Sequence, residues 1–482
     1  MRALLTVLFL LPIPVFAAGM GYDDARHLLT RTGFAPTGSE IQKYAALTRD
    51  AAADRLLAGV HTEARTPLPD SALEFVPRER LRKLKNAPEA ERKAFLREQI
   101  EKSLELRAWW YREMLETDSP LTEKMTLFWH NHFVSSQQKV KSPVLMARQN
   151  QLLRRYALGN FGELLHAVAR DPAMVVYLDN VSNKKGSPNE NFAREVMELF
   201  TLGEGQYSEQ DIKEAARAFT GWSLDRKTGE YRFYRRLHDS GEKTVLGRRG
   251  NFNGDEVLDI LLAQPATAEF VTGKLWREFI SPVADATEVK RLAGVFRDSR
   301  YNTRALMRAL LTSDSFFAPQ NRAVLIKSPV ELVVGTLRLF EIHPADLRPV
   351  ALAARNLGQD VFGPPNVKGW PGGEAWINSA TLLGRRQLLA RLFRAEEMPA
   401  ASDDGMAGRG GKRPQRMALR MQPDYLFNGA HWFSQFGANG SAARQQVTRL
   451  VLATAPQETP PASTDNLSFL SALVLDPVYQ LK

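Results

Sequence analysis

Cysteine is absent from this sequence. Disulfides, thiolate zinc sites, iron–sulfur clusters, a cysteine nucleophile, c-type haem attachment and a lipidated-cysteine anchor are therefore excluded. Beyond the first residues, no run reaches the ~18 uninterrupted apolar residues that a membrane-spanning helix needs. Long β-branched alternation is also missing, which argues for a helical chain. G-x-S-x-G, H-E-x-x-H and a complete Walker loop do not occur, since the glycines at 405–412 miss the Walker spacing. Glu195-x-x-Glu198 does not supply the Glu-x-x-His pairs of a di-iron bundle.

What is present is a globular composition. The chain has 482 residues, 44% hydrophobic and 24% charged. That length is enough for a large core and, at roughly 150 residues per domain, for about three domain-sized units. Lys and Arg number 64 against 54 Asp and Glu, for a net charge of +10. The basic residues are spread along the chain beside acids, as in Arg78-Glu79-Arg80, so nucleic-acid binding is not expected. A basic surface also suits anionic glycans, cell-wall polymers or lipid headgroups.

Residues 1–17 read as a signal peptide. Arg2 gives a positive start, residues 3–16 are apolar apart from Thr6, Pro12 and Pro14, and Val15-Phe16-Ala17 offers a small-residue cleavage site. The expected location is therefore periplasmic or secreted. The remainder predicts a mainly α fold with one small β-hairpin near 230–247. In residues 88–116, Leu96, Ile100, Leu104, Ala108, Tyr111 and Leu115 mark one helix face, with Asn86 able to cap it. The hairpin is expected to pair Tyr231 and Phe233 with Thr244-Val245-Leu246 about Asp239-Ser240-Gly241. A helical main domain is expected over 18–396, a flexible Gly-rich loop over 397–413, and a helical segment over 414–482 packing on the main domain.

Four segments are candidates for chemistry. Phe128-Trp129-His130-Asn131-His132-Phe133 places His132 on an apolar helical face and His130 on another, so the two do not chelate one ion while the helix continues. The bland alternative is a buried His132 and a solvated His130. Asn191, Arg194, Glu195 and Glu198 share a polar stripe, and paired carboxylates at i, i+3 suit acid–base work or a divalent cation. Against this stands a solvated face with an Arg194–Glu198 pair. His238 lies beside the expected hairpin turn. The loop at 362–376 breaks any helix and presents Asn366, Lys368 and Trp370, with Arg385 following on the next helix. Its tryptophans are either a stacking platform or core plugs.

Several collinear segments resemble one known family. They include Arg31-Thr32-Gly33-Phe34, Trp129-His130-Asn131-His132-Phe133, Asn189-Glu190-Asn191-Phe192-Ala193-Arg194-Glu195, Ala216-Arg217-Ala218-Phe219-Thr220-Gly221-Trp222, Lys327-Ser328-Pro329-Val330-Glu331 and Pro364-Pro365-Asn366-Val367-Lys368-Gly369-Trp370-Pro371-Gly372-Gly373. The chain resembles the bacterial domain of unknown function 1800 family over about residues 22–395. The resemblance implies an exported helical protein of unknown biochemical function. It also implies, as a partner, a neighbour-encoded exported protein of the domain of unknown function 1501 family. It carries over no catalytic residues and names no cofactor; a divalent metal stays open.

Two function classes fit these residues. One is a hydrolase- or lyase-like enzyme acting on an extracellular polymer or glycan, with Glu195, Glu198, His130, His132 and His238 moving protons. Asn191, Arg194, Asn366, Lys368, Trp370 and Arg385 would then bind substrate. The other is a non-catalytic export, assembly or binding partner. N-terminal sequencing of periplasmic or secreted material is expected to begin near Ala18; an intact Met1 form confined to the cytoplasm is the contrary result.

Overall fold

The computed structural model describes residues 18–394, 427–437, 440–461 and 464–482. Of this structure 61% is helical, with two small antiparallel sheets. The helices start where local chemistry starts them. Thr37/Glu40, Ser208/Asp211, Asn253/Glu256 and Ser328/Glu331 each form a reciprocal capping box. Proline opens the helices Pro120–His132, Pro143–Arg155, Pro265–Phe279 and Pro329–Leu339, where its missing N–H costs nothing.

Three local expectations change. The long helix runs Glu89–Glu116 with Pro88 at its start, while Asn86 instead closes the preceding helix, Arg78–Lys85. The apolar stripe also divides. Tyr111 and Leu115 are buried with Trp110 and Met114, but Leu96 and Ile100 face solvent. The hairpin is two hairpins. Strand β1 (Trp222–Leu224) pairs with β2 (Tyr231–Phe233), and β3 (Lys243–Val245) with β4 (Arg248–Gly250). Leu246 and Gly247, both at positive φ, make the tight turn that returns β4 onto β3. Asp239-Ser240-Gly241 links the hairpins rather than closing one. Arg217 holds Asp239 through Nε–Oδ2 at 2.8 Å and, with the Gly241 N–H, keeps its carboxyl down at about 2 against the opposing effect of burial.

The first and last described segments meet on the core. Arg26 Nε donates to Leu450 O at 3.1 Å, and Arg449 pairs with Asp23 at 2.8 Å. Trp432 Nε1 donates to Leu339 O at 2.9 Å, and the Asn466–Leu475 helix packs on Ser379–Arg394. The final residues run antiparallel to 325–327, with Lys327 N–H to Gln480 O and Lys482 N–H to Leu325 O, both 2.8 Å. The expected signal peptide and the 397–413 connector lie outside the described residues.

Buried charge is matched by buried charge. Arg154 grips Glu123 bidentately at 2.6 and 2.8 Å, and Trp110 Nε1 donates to the same carboxylate at 2.8 Å. Glu331 Oε1 receives both Lys124 and Lys482, while Oε2 receives the Ser328 N–H at 2.8 Å. Burial alone would raise the Glu331 carboxyl, but the two ammonium groups outweigh it and hold it well below the ordinary value. A carboxylate depressed in the folded state stabilises above its unfolded pKa and loses that contribution as pH falls. Glu331→Gln leaves Lys482 without its main partner and is expected to cost roughly 3–5 kcal/mol in chemical denaturation. The difference from wild type should shrink on acidification, because the wild-type advantage is the one that titrates away.

Candidate functional site

The Pro120–His132 helix ends at His132, yet the two histidines still diverge. His130, which the bland alternative left solvated, is 1% exposed; its Nε2 accepts the Phe362 N–H at 3.2 Å among Trp110, Phe362 and Trp370. Burial, with Arg107, pushes it down to about 3, so it stays neutral and structural in contact. His132 Nε2 donates to Phe200 O at 3.1 Å, which leaves Nδ1 as an acceptor. Lys274 Nζ meets that Nδ1 at 3.3 Å and donates to Leu199 O at 3.0 Å. Burial first, then Lys274, lowers the His132 pKa well below its usual value.

His132 and Lys274 line a cavity of about 450 Å³. Lys124, Glu278, Glu331 and Lys482 form its charged floor, Phe128, Trp370 and Trp376 its aromatic wall, and Lys368 its mouth. A second hollow of about 570 Å³, lined by Glu198, Glu204 and Phe270, shares Lys274 and Lys368 with it. The cavity holds five cations, Lys124, Lys274, Arg277, Lys368 and Lys482, against two carboxylates. Burial, then Arg277, pushes Lys274 down to about 8. Burial likewise lowers Lys482 to about 8, with Glu331 opposing.

The loop that carries Lys368 is fixed by its backbone. Asn131 Oδ1 accepts the Trp370 N–H at 2.7 Å and its Nδ2 donates to Trp370 O at 3.3 Å. Gly369 sits at φ 82, and a side chain there would collide with Asn131. Asn366 Oδ1 accepts the Lys368 N–H at 2.9 Å, so this amide shapes the turn. Trp370 is 4% exposed, a wall of the cavity and not a surface platform.

The carboxylate pair sits on an irregular turn. Asn191–Glu195 is α-helical, but Val196–Thr201 widens into a π turn, with Leu202 N–H reaching Met197 O at 2.8 Å. The extra residue moves Glu198 away from Arg194. The expected Arg194–Glu198 pair is replaced by Arg194 on Glu209, at 2.8 and 2.7 Å, and on Glu190 at 3.4 Å. Glu198 instead accepts the Tyr207 hydroxyl at 2.7 Å and faces Lys368 at 3.8 Å. Burial, then the Glu198 charge, raises the Glu195 pKa. The Asn191 N–H takes Asn189 Oδ1 at 3.0 Å in the helix start.

The structure thus brings His132, Lys368, Trp370 and Glu198 to one groove, while Glu195, His130, Asn191, Arg194 and Asn366 stand outside the lining of both hollows. His238 and Arg385 line neither hollow. His238 Nδ1 meets Thr220 O at 3.0 Å against Phe233. Arg385 is buried, donating to Lys327 O and Gln480 Oε1, both at 3.0 Å, which ties down the final strand. Lys124, Lys274, Glu278 and Lys482 carried no motif and were not anticipated; Glu331 entered only as part of the family-resembling segment Lys327–Glu331. Among the described residues no group of three or more His, Asp or Glu is placed to hold a metal ion.

A family model described as "Protein of unknown function (DUF1800)" matches residues 27–481. No curated protein and no solved structure matches the chain. In ¹³C NMR titration of lysine side chains, Lys274 is expected to titrate near 8, displaced from 10.5. A midpoint above 10 would contradict the buried geometry. Because the folded-state pKa is depressed, this group's burial is unfavourable below about 8, and stability regains that loss as pH rises from there towards 10.5.

Proposed function

The chain belongs to the DUF1800 family, and from the geometry of its groove we propose that it is an exported enzyme, lyase-like or hydrolase-like, acting on a carboxylate-bearing polymer or glycan. The observation that carries this reading is Lys274. Its amine has two fixed acceptors, Leu199 O and His132 Nδ1. Its third position remains for the cavity, a proton below about 8 and a lone pair above. The surplus of lysine and arginine around it favours an anionic guest, and Phe128 and Trp370 offer apolar faces to a sugar ring.

A β-elimination uses these parts directly. Lys368 and Arg277 neutralise the substrate carboxylate, which acidifies the adjacent C–H. Lys274 takes that proton, the C–H electrons form a C=C bond, and the C–O bond to the next unit breaks. The departing oxygen takes a proton from the Glu195–Glu198 pair, where Glu195 retains its proton to higher pH than an ordinary carboxyl. His132 stays neutral and holds the Lys274 amine in place. In hydrolysis the same carboxylate pair would instead activate water.

A second reading, a non-catalytic partner of a neighbour-encoded exported protein such as one of the domain of unknown function 1501 family, draws on exposed Lys368 and Asn366 at the groove mouth. The two separate cleanly. Against a panel of uronate-containing glycans, the enzyme reading expects an unsaturated product absorbing in the ultraviolet, at a rate that rises with pH through about 8. Lys274→Met should lower that rate at least ~100-fold and Glu195→Gln by ~10-fold or more, with the fold intact. Reducing ends without ultraviolet absorbance would mark hydrolysis. No turnover of any acidic polymer, together with co-purification of an exported protein lost on Lys368→Glu, would replace the enzyme by the partner.

A further inference from the structure

Outside the lining of both hollows, residues 78–102 form a helical hairpin with an unusual surface. The Arg78–Lys85 helix buries none of its residues, and five of its eight are basic, Arg78, Arg80, Arg82, Lys83 and Lys85, against Glu79. Leu81 on this helix is 42% exposed. On the first half of Glu89–Glu116, Leu96 and Ile100 are 60% and 59% exposed. They stand one turn apart, so they share a stripe. Helical spacing puts Arg92 and Lys93 beside that stripe, with Glu89 at the helix start paired to Lys93 at 2.6 Å, and Glu91, Glu98 and Glu101 on the opposite side. The rest of this helix is anchored by Trp109, Trp110 and Met114 in the core. A rigid rod thus holds outward a surface of large aliphatic side chains bordered by cations.

We propose that this hairpin docks the protein on an anionic lipid surface, independently of the chemistry in the groove. Exposed leucine and isoleucine flanked by lysine and arginine is the pattern of a helix lying in a membrane interface, where aliphatic groups enter the acyl boundary and cations meet phosphate. A like-sized protein partner would be expected to meet a groove or a flat apolar face. Here the surface is a helical hairpin whose first helix carries five cations against Glu79, an excess complementary to a sheet of headgroups. No helix among the described residues is long and apolar enough to cross a membrane, so the attachment is peripheral.

The test is co-sedimentation of the full chain with vesicles containing phosphatidylglycerol, compared with pure phosphatidylcholine. Binding to the anionic vesicles is expected, weakened at least ~10-fold between low and high salt. Arg82→Glu with Lys83→Glu and Lys85→Glu should weaken it ~100-fold or more, at about fivefold for each cation removed. Leu96→Ser with Ile100→Ser should weaken it ~10-fold or more while circular dichroism and groove activity stay at wild-type levels. Should the charge-reversed variant fail to fold, the serine variant decides alone. No binding by the wild type, equal binding to neutral vesicles, or unaltered binding by the serine variant overturns the proposal. So does a vesicle-free dimer that the serine variant converts to monomer, which would make the stripe a contact between copies.

Discussion

One carboxylate, Glu331, does four jobs. Its Oε2 closes the capping box that starts Pro329–Leu339, and its Oε1 receives Lys124 from the Pro120–His132 helix and Lys482 from the final strand. It also lies in the floor of the lysine-rich cavity. A carboxylate that is nearly inaccessible to water is costly unless its oxygens are filled, and here they are. The helix order, the placement of the tail and the charge of the cavity are therefore one constraint. Any change that unfills Glu331 disturbs all of them together, which is why surplus cations can persist in that floor.

The groove is held by backbone geometry as much as by side chains. Asn131 clasps the Trp370 peptide from both sides, Gly369 allows that approach, and Asn366 bends the loop so that Lys368 reaches the mouth. Opposite, the π turn at Val196–Thr201 presents Leu199 O and Phe200 O inward, to Lys274 and His132 respectively. An α-helical continuation would have bonded those carbonyls within the helix. The irregular turn frees them to orient an amine and fix an imidazole tautomer.

Much of the fold was legible because its signals are local. The apolar spacing over 88–116 reads as a helix and the prolines and glycines of 362–376 as a break in one, whatever surrounds them. The pairing of β1 with β2 was not legible, because Trp222–Leu224 is too short to alternate visibly and Asp239-Ser240-Gly241 has ordinary turn composition. At the site, the sequence pointed to His132, Glu198, Lys368 and Trp370 through clusters of chemistry-bearing residues. It was silent on Lys274 and Lys482, which look like any surface lysine until tertiary packing buries them. Arg194 misled for a related reason, since helical arithmetic assumes 3.6 residues per turn and the chain departs from it two residues later.

The contacts joining Asp23 to Arg449 and Lys124 to Glu331 and Lys482 set a clock on the molecule. The first spans 426 residues, so its loop closes only after almost all of the chain is present. Until Lys482 arrives, Glu331 lacks one of its two cations and the cavity lacks part of its floor. A nascent chain is thus held chemically unfinished, and the pocket matures only when Lys482 reaches Glu331.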